Sequence, residues 1–283
     1  METAYFNGKF LPKNEIHISP DDRGFLFADG IYEVVRWYEG FFYDLQGHVA
    51  RLKRSLKEVR IDWPGTDSFP AIALELITRN NLQNQPALVY LEVTRGAAKR
   101  KHAFPSPQVE PTVYAFATGF MPDSELMKNG IGIISRKDIR WNRCDIKSVS
   151  LLPNILLFQE AREEDCHECI FSRDGYITEG AHSNIFFVVD GVLRTHPESE
   201  NILSGITRNN VLRIAKKNKV PVSERAVEEN ILPDVNEAFI TNTSSEIAPV
   251  ISINHKPVGD GKPGPVTTFL CSKFREDLAS MKG

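Results

Sequence analysis

Apolar and polar positions along the chain follow two rhythms, one of period two and one of period 3.6, and the switches between them divide the first half into strands and helices. Residues 31–38 and 41–45, rich in aromatic and β-branched side chains and separated by Glu39-Gly40, predict a hairpin. Across residues 48–60 the apolar Val49, Leu52, Leu56 and Val59 recur at helical spacing among charged residues, and residues 69–77 repeat the pattern. Two helices should therefore follow the hairpin. Residues 88–94 and 112–118 read as strands, joined by the polar, proline-bearing segment 95–111. A connector that long is often functional.

Residues 118–123, Thr-Gly-Phe-Met-Pro-Asp, read as a linker. They predict a small N-terminal α/β domain over 1–120 and a larger C-terminal domain over 121–283. In the second part, strands are expected at 131–139, at 169–172 and 176–178 about the turn Arg173-Asp174-Gly175, and at 184–189 and 192–195 about Asp190-Gly191, a strong hairpin signal. Helices are expected at 152–164, 206–217 and from Val266 onward, with short strands near 220–225, 238–241 and 250–253. Strands outnumber helices without strict βαβ alternation, so the predicted class is α+β, with mixed sheets and flanking helices.

Composition narrows the partners. The chain has 283 residues, 41% of them hydrophobic, enough for a substantial core. Its 34 Lys and Arg against 37 Asp and Glu leave a net charge of −3, so no broad cationic field favours nucleic acid. No stretch approaches the about 18 consecutive apolar residues of a membrane span, and the first residues lack the basic-then-apolar order of a signal peptide. A cytoplasmic protein is expected. Four cysteines are too few for a disulfide framework, and Cys166-His167-Glu168-Cys169 has no second ligand pair to complete a zinc site. No metal is expected.

The common signatures for phosphate loops, dinucleotides, zinc peptidases and serine hydrolases are missing. What remains is a set of small constellations, each with an ordinary reading. Lys147 lies between a strand-like segment and a helix, flanked by Val149, Leu151 and Leu152; desolvation there would lower its pKa, as a Schiff-base or general-base lysine requires. Taken alone it reads as a surface or salt-bridged lysine. Glu179 ends a strand and is followed by a small-residue turn. Gly205-Ile206-Thr207 opens a predicted helix, where free N–H groups suit a phosphate or an ordinary cap. Thr243 sits in a hydroxyl-rich turn, Arg51 on a helix otherwise read as solvated, and Lys99-Arg100-Lys101-His102 in the long basic loop.

In combination these stations resemble the fold-type IV pyridoxal-phosphate enzymes, and within them most closely the bacterial D-amino acid aminotransferases. The resemblance runs over essentially the whole chain. It rests on Asp22-Arg23-Gly24, Gly30-Ile31-Tyr32-Glu33-Val34, His48-Val49-Ala50-Arg51-Leu52, Thr94-Arg95-Gly96 leading to Arg100-Lys101-His102, and Asp138-Ile139-Arg140-Trp141. It continues through Cys144-Asp145-Ile146-Lys147-Ser148, Thr178-Glu179-Gly180 with Ser183-Asn184, Gly205-Ile206-Thr207-Arg208 and Thr243-Ser244-Ser245.

The resemblance implies a two-domain, homodimeric enzyme in which Lys147, in the C-terminal domain, binds pyridoxal 5'-phosphate covalently and then shuttles the substrate's proton. It implies that Glu179 pairs with the pyridine nitrogen, that Arg51, Ile206, Thr207 and Thr243 hold the phosphate, and that Tyr32, Arg100 and His102 trap the substrate α-carboxylate. The implied reaction is ping-pong transfer of an amino group from a D-amino acid, of the D-alanine type, to a 2-oxo acid, of the 2-oxoglutarate type. A branched-chain L-amino acid aminotransferase or an aminodeoxychorismate lyase of the same fold would also use Lys147 and Glu179; the Arg100-His102 pair speaks against both. A non-enzymatic binder that keeps the scaffold is the remaining alternative. Two departures stand out: Ala181-His182 where Bacillus-type members carry serines, and Lys101 inside the Arg-x-His pair.

Overall fold

A computed structural model describes residues 2–281, with the side chain of Met127 excepted; the extreme ends of the two expected domains, Met1 and residues 282–283, lie outside it. By its contacts the chain divides into two units, Met1–Met121 with Ile146–Ser150, and Pro122–Asp145 with Leu151–Gly283.

The first unit is an antiparallel sheet with helices on one face. Its strands β1 (Thr3–Phe6), β2 (Lys9–Pro12), β3 (Gly30–Trp37), β4 (Ala87–Thr94) and β5 (Thr112–Gly119) run in the order β2-β1-β5-β4-β3. A short helix α1 (Arg23–Phe27) precedes β3, and α2 (Leu45–Glu58) and α3 (Phe69–Arg79) follow it. Period-two burial explains the layering. Ile31 and Val35 of β3, Val89, Leu91 and Val93 of β4 and Val113 and Ala115 of β5 share one core with Leu52 and Leu56 of α2 and Phe69, Ala73 and Leu76 of α3. Glu33 lies between Ile31 and Val35 at the same alternation, so a carboxylate enters the core at the sheet–helix boundary.

Segment 41–45 is not a strand. Glu39 and Gly40 have φ of 51° and 136°, only an isolated bridge joins Trp37 to Phe42, and Asp44 adopts the left-handed conformation and caps α2 through the Gly47 N–H. Its aromatic residues cover the core edge instead: Phe42 packs edge-on against Trp37, at 5.0 Å between ring centroids.

Lys147 lies in the first unit, not with the C-terminal residues where it was expected. Local hydrogen bonding supplies the reason. The segment Ile146–Ser150 lies along β3: the Tyr32 N–H donates to Lys147 O at 3.0 Å, the Val149 N–H donates to Gly30 O at 3.1 Å, and Ile31 and Ser148 form a bridge. Ile146 is buried in the same core as α2 and α3. Edge pairing and one apolar anchor thus draw five residues of later sequence into the earlier unit.

The second unit is built on a nine-stranded mixed sheet. Its elements are α4 (Ser124–Asn129), β6 (Ile131–Lys137), α5 (Leu152–Glu163), β7 (Glu168–Arg173), β8 (Tyr176–Gly180), β9 (Asn184–Val189), β10 (Val192–Thr195), α6 (Ile206–Lys217), β11 (Val222–Ser223), β12 (Glu237–Asn242), β13 (Glu246–Ile253), β14 (Lys256–Pro257) and α7 (Pro265–Ala279). The order is β11-β10-β9-β12-β13-β6-β7-β8, with β14 on β13. β6 pairs in parallel with β7 and β13, whereas β7–β8, β9–β10 and β12–β13 are antiparallel. The predicted hairpin at Asp190-Gly191 forms, Asp190 and Gly191 both taking positive φ. An α+β chain with mixed sheets and flanking helices is therefore what the residues build.

Candidate active site

In the first unit the chemistry gathers where α2, β3 and Ile146–Ser150 meet. Glu33 is fully buried and receives both arms of Arg51, Nε to Oε1 at 2.8 Å and Nη2 to Oε2 at 2.8 Å, with His48 Nδ1 2.9 Å from Oε2. His48 and Arg51 stand three apart on one face of α2, so a single turn presents both to the same carboxylate. Burial alone would raise the Glu33 carboxyl, but the Arg51 guanidinium and His48 hold it well below the usual range. His48 is pushed down, chiefly by burial. Arg51, expected to be solvated unless it held a ligand, is thus a buried cation with two of its nitrogens committed to Glu33.

Ser55, one turn beyond Arg51, accepts the Lys147 N–H through Oγ at 3.4 Å. The Lys147 side chain is half-buried, with Nζ 4.2 Å from the centre of the Tyr32 ring. Tyr32 stacks in turn on Tyr90 at 5.8 Å between centroids, and the Tyr90 hydroxyl donates to Glu92 at 2.7 Å. Lys147 and Tyr32 are brought together. Arg100 and His102 are exposed and both lie on Phe27, the guanidinium 5.0 Å from its ring centre and the imidazole 5.6 Å between centroids.

Their long loop is anchored, not loose. Arg95 grips Asp29 through Nε and Nη2, each at 2.8 Å, and reaches Arg60 O and Val59 O at the end of α2. Arg23 bonds Asp29 and donates to Lys101 O at 2.6 Å, and Phe104 lies under Arg95 at 3.6 Å. Two buried arginines sharing one carboxylate therefore fix the base of the segment that carries Arg100 and His102.

In the second unit Glu179, next to last in β8, is buried, with three donors: Arg140 Nη1 at 2.5 Å, Asn184 Nδ2 at 3.1 Å and the Leu203 N–H at 2.9 Å. Arg140 also meets Asp138, Nε to Oδ1 at 3.0 Å and Nη2 to Oδ2 at 2.9 Å, and lies over the Phe171 ring. Burial pushes the Glu179 carboxyl up to about 7, against the pull of Arg140. Asn184 opens β9, and its carboxamide links Glu179 to Leu203 O, 2.8 Å away.

Gly205 follows two residues after Leu203 and caps α6. A Cβ there would collide with Asn184 Oδ1, so glycine alone permits the approach. Ile206 and Thr207 form the first turn of α6, both buried, and no side chain caps it. Such a terminus offers N–H groups to an anion. Thr243 lies in the turn between β12 and β13, half-buried, beside two buried polar atoms without hydrogen-bond partners, Thr241 Oγ1 and Asn242 Nδ2. Thr241 pairs in register with Asn184. A cluster of unspent donors beside an uncapped helix start fits a phosphate group, and a buried carboxyl held by three donors fits a ring nitrogen.

Sequence reasoning did not assign Glu33, His48, Asp138, Arg140, Asn184 or Leu203. The His48–Arg51 spacing on an amphipathic helix, and Glu33 at an apolar-phase strand position, were usable signals for the first two. Leu203 contributes a backbone N–H, which no residue type advertises. Cys166 and Cys169 are free and buried, and burial pushes their thiols upward, to about 12 for Cys169. Among the described residues no group of three or more His, Cys, Asp or Glu is arranged to hold a metal, and no helix is long and apolar enough to cross a membrane.

The model of the family described as amino-transferase class IV matches residues 30–253. The chain is 38% identical over 281 residues to the D-alanine aminotransferase of Staphylococcus haemolyticus, covering 99% of each. It is 39% identical over 275 residues to the D-alanine aminotransferase of Bacillus licheniformis, covering 97% of this chain and 96% of that one. Among solved structures it superimposes on the Escherichia coli branched-chain amino acid aminotransferase with a TM-score of 0.89 at 26% identity, over 97% of this chain and 94% of that one. It also superimposes on the T.th. branched-chain amino acid aminotransferase with pyridoxamine 5'-phosphate, with a TM-score of 0.89 at 27% identity, over 97% and 93%.

Proposed function

The chain belongs to the class IV aminotransferases, and within that family we propose that it is a D-amino acid aminotransferase. It takes the amino group of a D-alanine-type donor and passes it to a 2-oxo acid of the 2-oxoglutarate type, using pyridoxal 5'-phosphate. The observation that carries the donor class is identity of 36–39% to D-alanine aminotransferases over nearly the full length, against 26–27% to the branched-chain enzymes that share its fold.

Pyridoxal 5'-phosphate, when bound, supplies an electron-accepting ring that eases removal of the substrate Cα hydrogen as a proton. Lys147 would hold the cofactor, and its Nζ is the group that would carry the substrate's Cα proton. Tyr32, whose ring faces Nζ at 4.2 Å, orients the amine. Glu179 would accept a hydrogen bond from the protonated ring nitrogen, and Arg140, Asn184 and the Leu203 N–H fix the direction of its carboxyl. Arg51, the first-turn N–H groups of Ile206 and Thr207, and the Thr243 hydroxyl hold the phosphate. Tyr32, Arg100 and His102 donate to the α-carboxylate, and holding that group in one orientation selects the enantiomer whose Cα hydrogen meets Lys147.

A homodimer in the cytoplasm belongs to the same proposal. The subunit contact is supported by Leu152, Ile155 and Leu156, which stand 65%, 60% and 52% exposed at one-face spacing on α5, an apolar stripe suited to pairing.

The test is the visible spectrum of the purified protein before and after D-alanine and, separately, L-leucine. Loss of the yellow colour with D-alanine alone is the expected result. Loss with L-leucine alone would transfer the chain to the branched-chain alternative, and a protein that pyridoxal phosphate cannot colour would remove the enzyme reading.

A further inference from the structure

Beside Glu179 lies a second buried carboxylate that the reaction does not use. Glu168, the first residue of β7, is fully inaccessible, yet it is ringed by donors. The Cys169 N–H reaches Oε1 at 2.8 Å, the Ala181 N–H reaches Oε1 at 3.1 Å, and the Ser183 hydroxyl reaches Oε2 at 2.8 Å. His182 Nδ1 approaches Oε2 at 2.9 Å, and the His182 N–H lies 3.5 Å from the same oxygen. Residues 181, 182 and 183 therefore all turn toward one carboxylate.

Those three residues are the whole link between Glu179-Gly180 and Asn184. The Gly180 N–H donates to Ser183 O at 2.7 Å and the Ala181 N–H to Cys169 O at 3.0 Å, so the link is tight and tied to β7. A Cβ on Gly180 would collide with Ser183 Oγ and crowd the Glu168 carboxylate. Asn154 of α5 closes the outside by donating to Ala181 O at 2.7 Å. The position of Glu168 thereby sets where β8 ends and β9 begins, and Glu179 and Asn184 are the side chains at those two ends.

His182 differs from its two neighbours in the turn. Its side chain is 48% exposed, and its ring is held between the Glu168 oxygen and the edge of Phe158, at 5.1 Å and 86°. It is the solvent-side wall of an otherwise enclosed anion. The other donors to Glu168 in this turn are neutral, so only His182 can bring it a positive charge from within the link.

We propose that His182 is a positioning residue: by bonding to Glu168 it fixes the 181–183 link, and through that link it aligns Glu179 and Asn184 for the cofactor's ring nitrogen. The inference rests on the reading that Glu179 meets that nitrogen. Burial alone would raise the Glu168 carboxyl, but His182, Ser183 and the Cys169 N–H hold it low, consistent with an anion that needs its donors.

The experiment compares apoprotein of wild type, His182→Ala and His182→Gln, each titrated with pyridoxal phosphate and followed by visible absorbance and by thermal melting without cofactor. His182→Ala should bind about tenfold more weakly, the size expected for losing one hydrogen bond to a charged group, with a shifted absorption maximum. His182→Gln, whose amide can still donate to Glu168, should recover most of the affinity and the wild-type maximum. Because the side chain is half in solvent, all three should fold, with melting temperatures within a few degrees of one another. Should Glu168→Gln fold, its affinity should respond less than wild type's to the added His182→Ala change. Equal affinity and spectrum in wild type and His182→Ala would overturn the proposal and leave the cofactor assignment standing. So would a Gln variant as weak as Ala. A wild type that binds no pyridoxal phosphate would overturn both.

Discussion

Replacing Glu33 by Gln removes one charge from the fully buried cluster beneath Lys147 while keeping its shape. In the wild type Arg51 is 8% exposed and bonds Glu33 twice at 2.8 Å, and His48 completes the set at 2.9 Å. In the variant the guanidinium stays buried without its counter-charge. Breaking a buried pair from one side typically costs about 3–5 kcal/mol, and the Gln carbonyl still accepts one bond, which favours the lower end, about 3 kcal/mol. For a chain of this size that corresponds to a fall of roughly 6–12 °C in melting temperature. The sign with pH follows from the depressed carboxyl: its contribution is complete above the ordinary value of 4.5 and disappears as pH falls through the lower folded value. The gap between wild type and variant, read by calorimetry on the apoprotein, should be full near neutrality and close in acid. Glu33→Gln with Arg51→Met, which removes the stranded cation, should recover much of the loss. A single variant melting within about 1 °C of wild type, or a double variant no better than the single, would show that the cluster contributes nothing of this kind.

Three further outcomes are expected. Lys147→Ala should lower turnover of D-alanine by at least roughly 10²–10⁴-fold while the apoprotein melts as wild type does, because Nζ packs on the Tyr32 face and the side chain is half in solvent; retained turnover would exclude Lys147 as the proton carrier. Glu179 has a raised folded value, about 7 against an ordinary 4.5, so its stabilising contribution is complete below the lower value and lost as pH rises through the higher one. Relative to Glu179→Gln, the wild-type apoprotein should lose melting temperature across that interval, and parallel curves would contradict the assignment. Gly205→Ala, forcing a Cβ onto Asn184 Oδ1, should destabilise by about 1–3 kcal/mol and weaken uptake of pyridoxal phosphate, measured by dialysis against the free cofactor; unchanged uptake would separate the α6 terminus from the phosphate.

The residues of the site were legible to very different degrees. The strands at β4, β5, β9 and β10 and the helices α2, α3, α5 and α6 appear in the sequence because alternation and 3.6-residue spacing are enforced by local geometry. Segment 41–45 misled because its aromatic residues satisfy strand composition while Gly40 and Asp44 impose positive φ. Lys147, Glu179 and the Gly205-Ile206-Thr207 turn could be picked out by residue type and by their order along the chain. Arg51 was picked out too, but its bidentate grip on Glu33 was not, since the pair is separated by 18 residues and meets only when α2 packs on β3.

What the sequence alone settled is therefore everything governed by neighbours in the chain: the α+β class, most of the elements, and the family to which the spaced stations belong. Packing decided the rest. It drew Ile146–Ser150 onto the edge of β3, committed Arg51 and His48 to one carboxylate, and raised Glu179 while giving it three donors. Burial and charge pairing depend on which distant segments exclude water together, and no local pattern records that.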